Sequence, residues 1–329
     1  MPVVMDDSAV GRRVVLRFRR AGQPDGAPFS DVVGELTSWS DGVATVSGRN
    51  GDVRVPVDSL VAARLVAPDR GKILQLQRIA ALGWRSADVA TVDGWVLRAN
   101  AGWTSRANSA LPLGTPAGPL EAVLDVAADF YTDRSLPVQV LVPLPARGLL
   151  DAELARRCWQ VHAPTVMLTR SLRGPDEQSG GPRVELEPDI TGDWRAGYHA
   201  RDGVLSAAAL ALLGRHETVR FATVRSNGRT VAIARGVVDE GWLGVTALEV
   251  SDTHRRQGLG SAVMRALQGW AIAQGASRAY LQVDETNAAA GALYGSLGYR
   301  EHHRYHYRLR PPATSTEISP VNTPPSITP

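Results

Sequence analysis

The stretch LEVSDTHRRQGLGSAVMRAL, Leu248 to Leu267, decides how this chain is read. A short apolar run ends at Val250, two arginines follow, then Gly-x-Gly, then an amphipathic segment opened by Ser261. A glycine turn at the mouth of a helix suits a phosphate, because the first amides of a helix lack partners and the macrodipole adds positive charge there. The dinucleotide fingerprint Gly-x-Gly-x-x-Gly fails at Val263, and no Gly-Lys-Ser/Thr follows for a nucleoside-triphosphate loop. What remains is Arg-x-x-Gly-x-Gly, Arg255 to Gly260. Taken alone it is as compatible with a plain tight turn as with an anion site.

Working outward, LQVDETNAAAGALYGSLGY runs from Leu281 to Tyr299. It reads as a strand, a helix start at Asn287, Tyr294 inside that helix, and Gly298 as its C-terminal cap. Earlier, TVRFATVRSNGRTVAIARGVVDEGWLGVTALEVS has the grammar of strands around an SNGR turn. Residues 73–173 repeat the strand–helix–strand pattern without a glycine turn, and GPDEQSGGP, Gly174 to Pro182, has linker composition. Residues 1–67 show short alternating bursts separated by SDG and RNG turns, as in a small SH3-like β-barrel. The Pro, Ser and Thr-rich end, residues 311–329, is expected to be disordered.

The Arg-x-x-Gly-x-Gly turn and the Asn287/Tyr294 segment, in that order and in strand–helix context, resemble the GNAT superfamily of N-acetyltransferases over residues 183–310. Residues 68–182 look like the degenerate half of a tandem GNAT protein, of the actinobacterial layout with a small barrel in front. The fold class expected is therefore α/β (α+β), a mixed-sheet GNAT domain preceded by a degenerate GNAT-like half and the barrel. The resemblance implies acetyl-CoA as co-substrate. The main chain at Leu248 and Val250 would pair with its pantetheine arm. The amides of Arg256, Gln257, Gly258, Leu259, Gly260 and Ser261 would hold its pyrophosphate. Arg255 opens the loop, and Asn287 matches the residue that binds the cofactor arm, although a helix N-cap would explain it equally. Tyr294 matches the acid that protonates the leaving thiolate.

The general base is open. Some relatives carry Glu in the strand before Asn287, where this chain has Gln282, and an amide takes no proton. Glu249 on the preceding strand is the nearest alternative, with Asp284, Glu285 or His199 acting through water behind it. In GWVLRANAGWTSRANSALPL, Trp103, Arg106 and Asn108 are candidates for the acceptor site. The alternative is a hairpin whose polar residues satisfy one another. His302, His303 and His306 alternate along a strand, which separates them as metal ligands, so no metal is expected. Cys158 reads as a buried helix residue.

The composition excludes several function classes. The 329 residues are 44% hydrophobic and 21% charged, the ordinary globular balance. The basic pI of 9.3 is spread thinly, and residues 1–67 carry eight Arg against eight Asp and Glu, so nucleic acid is not an expected partner. No apolar run is long enough for a membrane helix, and no secretory start is visible, so a cytoplasmic location is expected. The functional expectation is direct acetyl transfer to a primary amine, on a small molecule or on a protein lysine or amino terminus. The rival expectations are a non-catalytic acyl-CoA sensor and an interaction protein acting through the barrel. Oligomeric state is left open.

Overall fold

The computed structural model describes residues 5–20, 28–172, 181–198 and 205–311. His199, the expected tail from residue 312 and most of the expected linker lie outside them. At the amino-terminal end, β1 (Arg13–Arg19), β2 (Phe29–Ser40), β3 (Val43–Gly48), β4 (Gly51–Pro56) and β5 (Leu60–Leu65) form a sheet in the order β4-β3-β2-β1-β5. Alternate residues such as Val14, Leu16, Leu36, Ala44 and Val46 turn inward and are buried, the period-2 pattern of a half-buried antiparallel sheet. Glu35 of β2 ties this sheet to the rest, 2.6 Å from Lys72 and 3.7 Å from Arg278.

The remaining chain contributes α1 (Arg70–Leu82), β6 (Asp88–Val92), β7 (Trp95–Ala99), β8 (Leu111–Pro112), α2 (Leu120–Thr132), β9 (Gln139–Leu144), α3 (Gly148–Arg156) and β10 (Gln160–Ser171). Then come β11 (Glu185–Glu187), α4 (Gly192–Ala196), α5 (Ala207–Gly214), β12 (Val219–Ser226), β13 (Arg229–Asp239) and β14 (Trp242–Val250). The last elements are α6 (Leu259–Ala273), β15 (Arg278–Asp284), α7 (Ala288–Ser296) and β16 (Arg300–Leu309). β6, β7 and β8 form a small sheet, and the others form one eight-stranded mixed sheet, β11-β12-β13-β14-β15-β10-β16-β9.

That order contains a reciprocal exchange. β10, which closes the first α/β segment, lies between β15 and β16 of the second, while β16 pairs with β9 of the first. The expected division at residues 182 and 183 therefore falls within the run of a continuous sheet, and the buried clusters cross it. Leu76, Leu111 and Leu141 pack with Tyr280, Tyr305 and Tyr307. Trp84 and Ala107 pack with Trp194, Tyr198 and Phe221.

Helix α6 buries Val263, Met264, Leu267 and Ala271, spaced to one face, against the sheet. After a 3-10 turn at Ser105–Ala107 the chain bridges to Val140 at Ala110 and pairs with β7 at Leu111–Pro112. Among the described residues no helix is long and apolar enough to cross a membrane.

Arg235, fully buried in β13, links the two segments. Its Nε donates to the Leu213 carbonyl at 2.7 Å, and both terminal nitrogens donate to the Gly83 carbonyl at 3.1 and 3.2 Å. These carbonyls end α5 and α1, where a cation meets the negative pole of each helix. Burial pulls the guanidinium down to about 10, which still leaves it charged at neutral pH. Replacing it by methionine would leave two buried carbonyls without donors. Arg235→Met should cost about 2–4 kcal/mol in chemical denaturation; an unchanged midpoint and slope would show that this clamp carries no weight.

Candidate active site

Strands β14 and β15 run parallel but pair only from Trp242↔Arg278 to Val245↔Leu281. Beyond that point each keeps its outer neighbour. β14 stays with β13 through Val250, and β15 stays with β10 through Asp284. The departure has a local cause. The β13–β14 register shifts between Ile233 and Arg235, so Ala247 and Leu248 both oppose Ala234. Ala247 takes the left-handed region at φ 54°, as β-bulges often require. The bulge turns β14 away from β15 and leaves the main chain of Leu248 to Val250 without a strand partner on that side. Leu248 and Val250, expected to border a pantetheine arm, lie along this gap.

The strand then enters the glycine turn. Arg256 and Gly258 both have positive φ, 59° and 77°, and the left-handed Gly258 is the N-cap of α6. The first intrahelical bond runs from the Ala262 amide to the Gly258 carbonyl at 2.9 Å. The amides of Leu259, Gly260 and Ser261 precede it, and the cap supplies no side-chain acceptor. Three adjacent amide donors at a positive helix pole are a ready anion site. Gly260 is needed for close approach: a Cβ there would lie 3.2 Å from Leu293 and 3.8 Å from Val250. Arg255 pairs with Asp252 at 2.6 Å and is exposed, and the Gln257 side chain donates back to the Thr253 carbonyl at 3.3 Å. Their side chains therefore brace the loop, while Arg256 projects into solvent.

Across the gap, Asn287 caps α7 by accepting from the Ala290 amide at 3.0 Å; the cap role foreseen as its alternative is the one seen. Seven residues on, Tyr294 faces Tyr299 with ring centroids 6.1 Å apart. Burial pushes its phenol up to about 12, so it remains a proton donor throughout the neutral and mildly alkaline range.

These features fit coenzyme A: an open strand edge, a donor-lined turn and an unionised phenol. The equivalent place in the first segment does not. There the turn before α2 carries Pro116 and Pro119, which have no N–H, and the Ala117 and Gly118 amides already donate to the Asp93 carboxylate. The Pro112, Leu113 and Gly114 carbonyls are already bonded to Arg147. Leu154 occupies the α3 position that Tyr294 occupies in α7, seven residues past the cap.

The gap opens into a cavity of about 290 Å³ that gathers most of the expected catalytic and acceptor residues. Glu249, Tyr294, Asn287, Leu248, Gln282, Asp284, Trp103 and Arg106 all line it. Trp103 stands 6.2 Å from Trp84 and 6.4 Å from Tyr198, ring centroid to ring centroid, forming an aromatic wall. Asn108 is not part of it. Its Oδ1 accepts from the Asn100 and Gly102 amides at 2.6 and 3.0 Å, and its Nδ2 donates to the Thr104 carbonyl at 2.8 Å. It shapes the loop from within, and the hairpin alternative holds at this residue.

Among the alternative bases, Asp284 accepts from the Thr286 amide and hydroxyl at 2.8 and 2.6 Å. Those bonds hold its carboxyl below the usual range. Glu285 pairs with Arg304.

The cavity also contains Trp84, Tyr198 and Thr246, which sequence reasoning missed. No motif marks them, since they converge from the turn after α1, the chain after α4 and β14. Two further expectations are corrected. Cys158 is exposed in the turn after α3, with φ 61°, because α3 ends at Arg156. His302 and His303 are not separated by strand alternation: a bulge between β10 and β16 at this point brings their Nδ1 atoms to 2.7 Å. His303 also meets Gln77 at 2.8 Å, and His306 meets Asp151 at 2.7 Å. Burial drives His302 and His303 down to about 4 and about 3.

Gly260→Glu would place a Cβ against Leu293 and a carboxylate beside the three free amides. Acetyl-CoA affinity measured by calorimetry should fall by about 30-fold or more while the melting temperature stays near the parent's. Parent-like affinity would remove this turn as the anion site.

Comparison with known proteins agrees with this geometry. Residues 71–308 match the family model described as "Probable histone acetyltransferase Rv0428c C-terminal". Residues 8–64 match "Rv0428c N-terminal Sm-like domain", which refines the expected SH3-like barrel. The chain is 32% identical over 316 residues to "Probable histone acetyltransferase Rv0428c" of Mycobacterium tuberculosis, covering 91% of this chain and 94% of that protein. Among solved structures, a GCN5-related N-acetyltransferase from Kribbella flavida superposes with a TM-score of 0.56 at 17% identity. That match covers 73% of this chain and 96% of the other. A tandem GNAT protein from the clavulanic acid biosynthesis pathway gives 0.51 at 12% identity, covering 75% and 91%. With its fold, turn and family match in agreement, this chain belongs to the GNAT-type N-acetyltransferases, in the family of the Rv0428c C-terminal domain with an Sm-like domain in front.

Proposed function

We propose that this acetyltransferase uses acetyl-CoA and passes the acetyl group directly to a primary amine in a ternary complex. The observation that carries the reading is the convergence of three features in one place. These are the open edge of β14, the unpaired amides of Leu259 to Ser261, and a cavity holding both Glu249 and Tyr294. The pyrophosphate is assigned to the turn and the pantetheine to the edge at Leu248 and Val250, which directs the thioester towards Tyr294.

An alkylammonium ordinarily titrates near pH ~10 and must lose a proton before it attacks. Glu249 is assigned as the base that takes it. Gln282 has no basic atom, and Asp284 is weakened by its bonds to Thr286. The nitrogen then forms its bond to the thioester carbonyl carbon, the carbon–sulfur bond breaks, and Tyr294 gives its proton to the departing thiolate. The proton shed by the new amide nitrogen restores the phenol through water. Cys158 is remote from this cavity, so no acyl-enzyme is invoked. The cellular location proposed is the cytoplasm.

Tyr294→Phe should leave acetyl-CoA affinity unchanged and lower kcat by roughly 10- to 1,000-fold, read by thiol release. In the parent, raising the pH to 10.5 should not remove the proton donor, since the phenol titrates near 12. Equal turnover of the variant would exclude Tyr294 as the acid. Glu249→Gln should likewise retain cofactor binding and lose at least about 10-fold in kcat/KM. Acetyl-CoA binding without transfer to any amine would instead identify a sensor.

A further inference from the structure

The cavity has an unbalanced set of polar atoms. Arg106 Nε, Thr246 Oγ1 and Gln282 Oε1 all belong to residues that line it, all are buried, and none has a hydrogen-bond partner among the described residues. One such orphan costs about 1–3 kcal/mol, and most buried polar atoms in folded proteins are satisfied. Three in one cavity point to a ligand that supplies the missing partners.

The chemistry of the three atoms limits that ligand. A guanidinium only donates, an amide oxygen only accepts, and a hydroxyl does either. The ligand must therefore present an acceptor to Arg106 and an N–H donor to Gln282. Charge sharpens the choice. Among the described residues no ion pair to a carboxylate engages the Arg106 side chain; its neighbours are the Tyr305 and Tyr307 phenols, and the Asp284 charge acts on it from further off. Gln282 shares the cavity with Glu249 and Asp284, so a positive group is favoured beside them. Trp84, Trp103 and Tyr198 give the cavity one aromatic wall.

We infer that the acetyl acceptor is a small amine that also carries a carboxylate. The carboxylate sits on Arg106 and the amine sits between Gln282 and Glu249. A planar guanidinium facing a carboxylate is a charge-assisted pairing with geometric selectivity. The inference rests on the acetyltransferase reading above and adds the acceptor class. It makes Arg106, contributed by the first α/β segment, the residue that selects the substrate of a site built on the second.

The test uses the full-length protein and matched sets of acceptors: an α-amino acid, its carboxamide and its decarboxylated amine, for example ornithine, ornithine amide and putrescine, or phenylalanine, its amide and phenethylamine. Within a set the free carboxylate should be preferred by about 10- to 100-fold in kcat/KM, the worth of one hydrogen bond to a charged group. Arg106→Met should remove the preference through KM while leaving acetyl-CoA affinity near the parent's. Arg106→Lys should keep part of it. A parent that favours the decarboxylated amine, or a methionine variant that slows every member alike, would overturn the assignment. If no member is acetylated, calorimetry of the same sets in the presence of coenzyme A reads the same preference, and equal or absent binding of the carboxylates overturns it. A parent that fails to bind acetyl-CoA refutes the underlying reading instead, which separates the two failures.

Discussion

The parallel pairing of β14 and β15 stops at Val245 and Leu281, and the rest of the site follows from that stop. A strand edge in a buried sheet ordinarily leaves no amide or carbonyl unpaired. Here the bulge at Ala247 spreads two strands while each stays anchored on its outer side. The unpaired edge, the entry angle into the glycine turn and the cavity beside Tyr294 are three consequences of one extra residue opposite Ala234. Without the bulge, β14 would continue along β15, and the amides of α6 would point at a closed sheet.

Spreading two strands weakens the sheet unless something else holds them. β15 is held by β10, a strand from the other segment, in seven paired positions from Thr165↔Asp284 to Ser171↔Arg278. The exchange of β10 and β16 thus compensates for the ladder that β14 gives up. It also fixes the first segment against the second, with Arg235 clamping the ends of α1 and α5. The loop carrying Trp103 and Arg106 is therefore held at the mouth of the gap. The first segment does not share the second's cofactor features, its turn carrying prolines and its carbonyls taken by Arg147, and it forms one wall of the cavity.

The readable part of this arrangement was local. Arg-x-x-Gly-x-Gly, Asn287 and Tyr294 are spelled within single strand–turn–helix units, where spacing determines geometry. The alternation of residues 11–67 likewise marked a small β domain. What escaped was non-local. The exchange of β10 and β16 depends on which strands pair, and no residue pattern separates a strand that joins its own segment from one that joins the next. The bulges at Ala247 and His302 have no glycine to announce them. Trp103, Arg106 and Asn108 stood together as an unusual composition, yet only the 3-10 turn at Ser105–Ala107 sends Arg106 to the cavity and Asn108 into the loop. Thr246, Tyr198 and Trp84 carry no local signal, because the aromatic and polar walls exist only once three distant segments meet.

The most direct test is a crystal structure of the full-length protein with coenzyme A. The account predicts pyrophosphate oxygens on the amides of Leu259, Gly260 and Ser261, the pantetheine arm along Leu248 to Val250, and the sulfur within hydrogen-bond reach of the Tyr294 hydroxyl. Coenzyme A bound instead beside Gly114 and Arg147, or density at the turn with the sulfur pointing away from Tyr294, would contradict it.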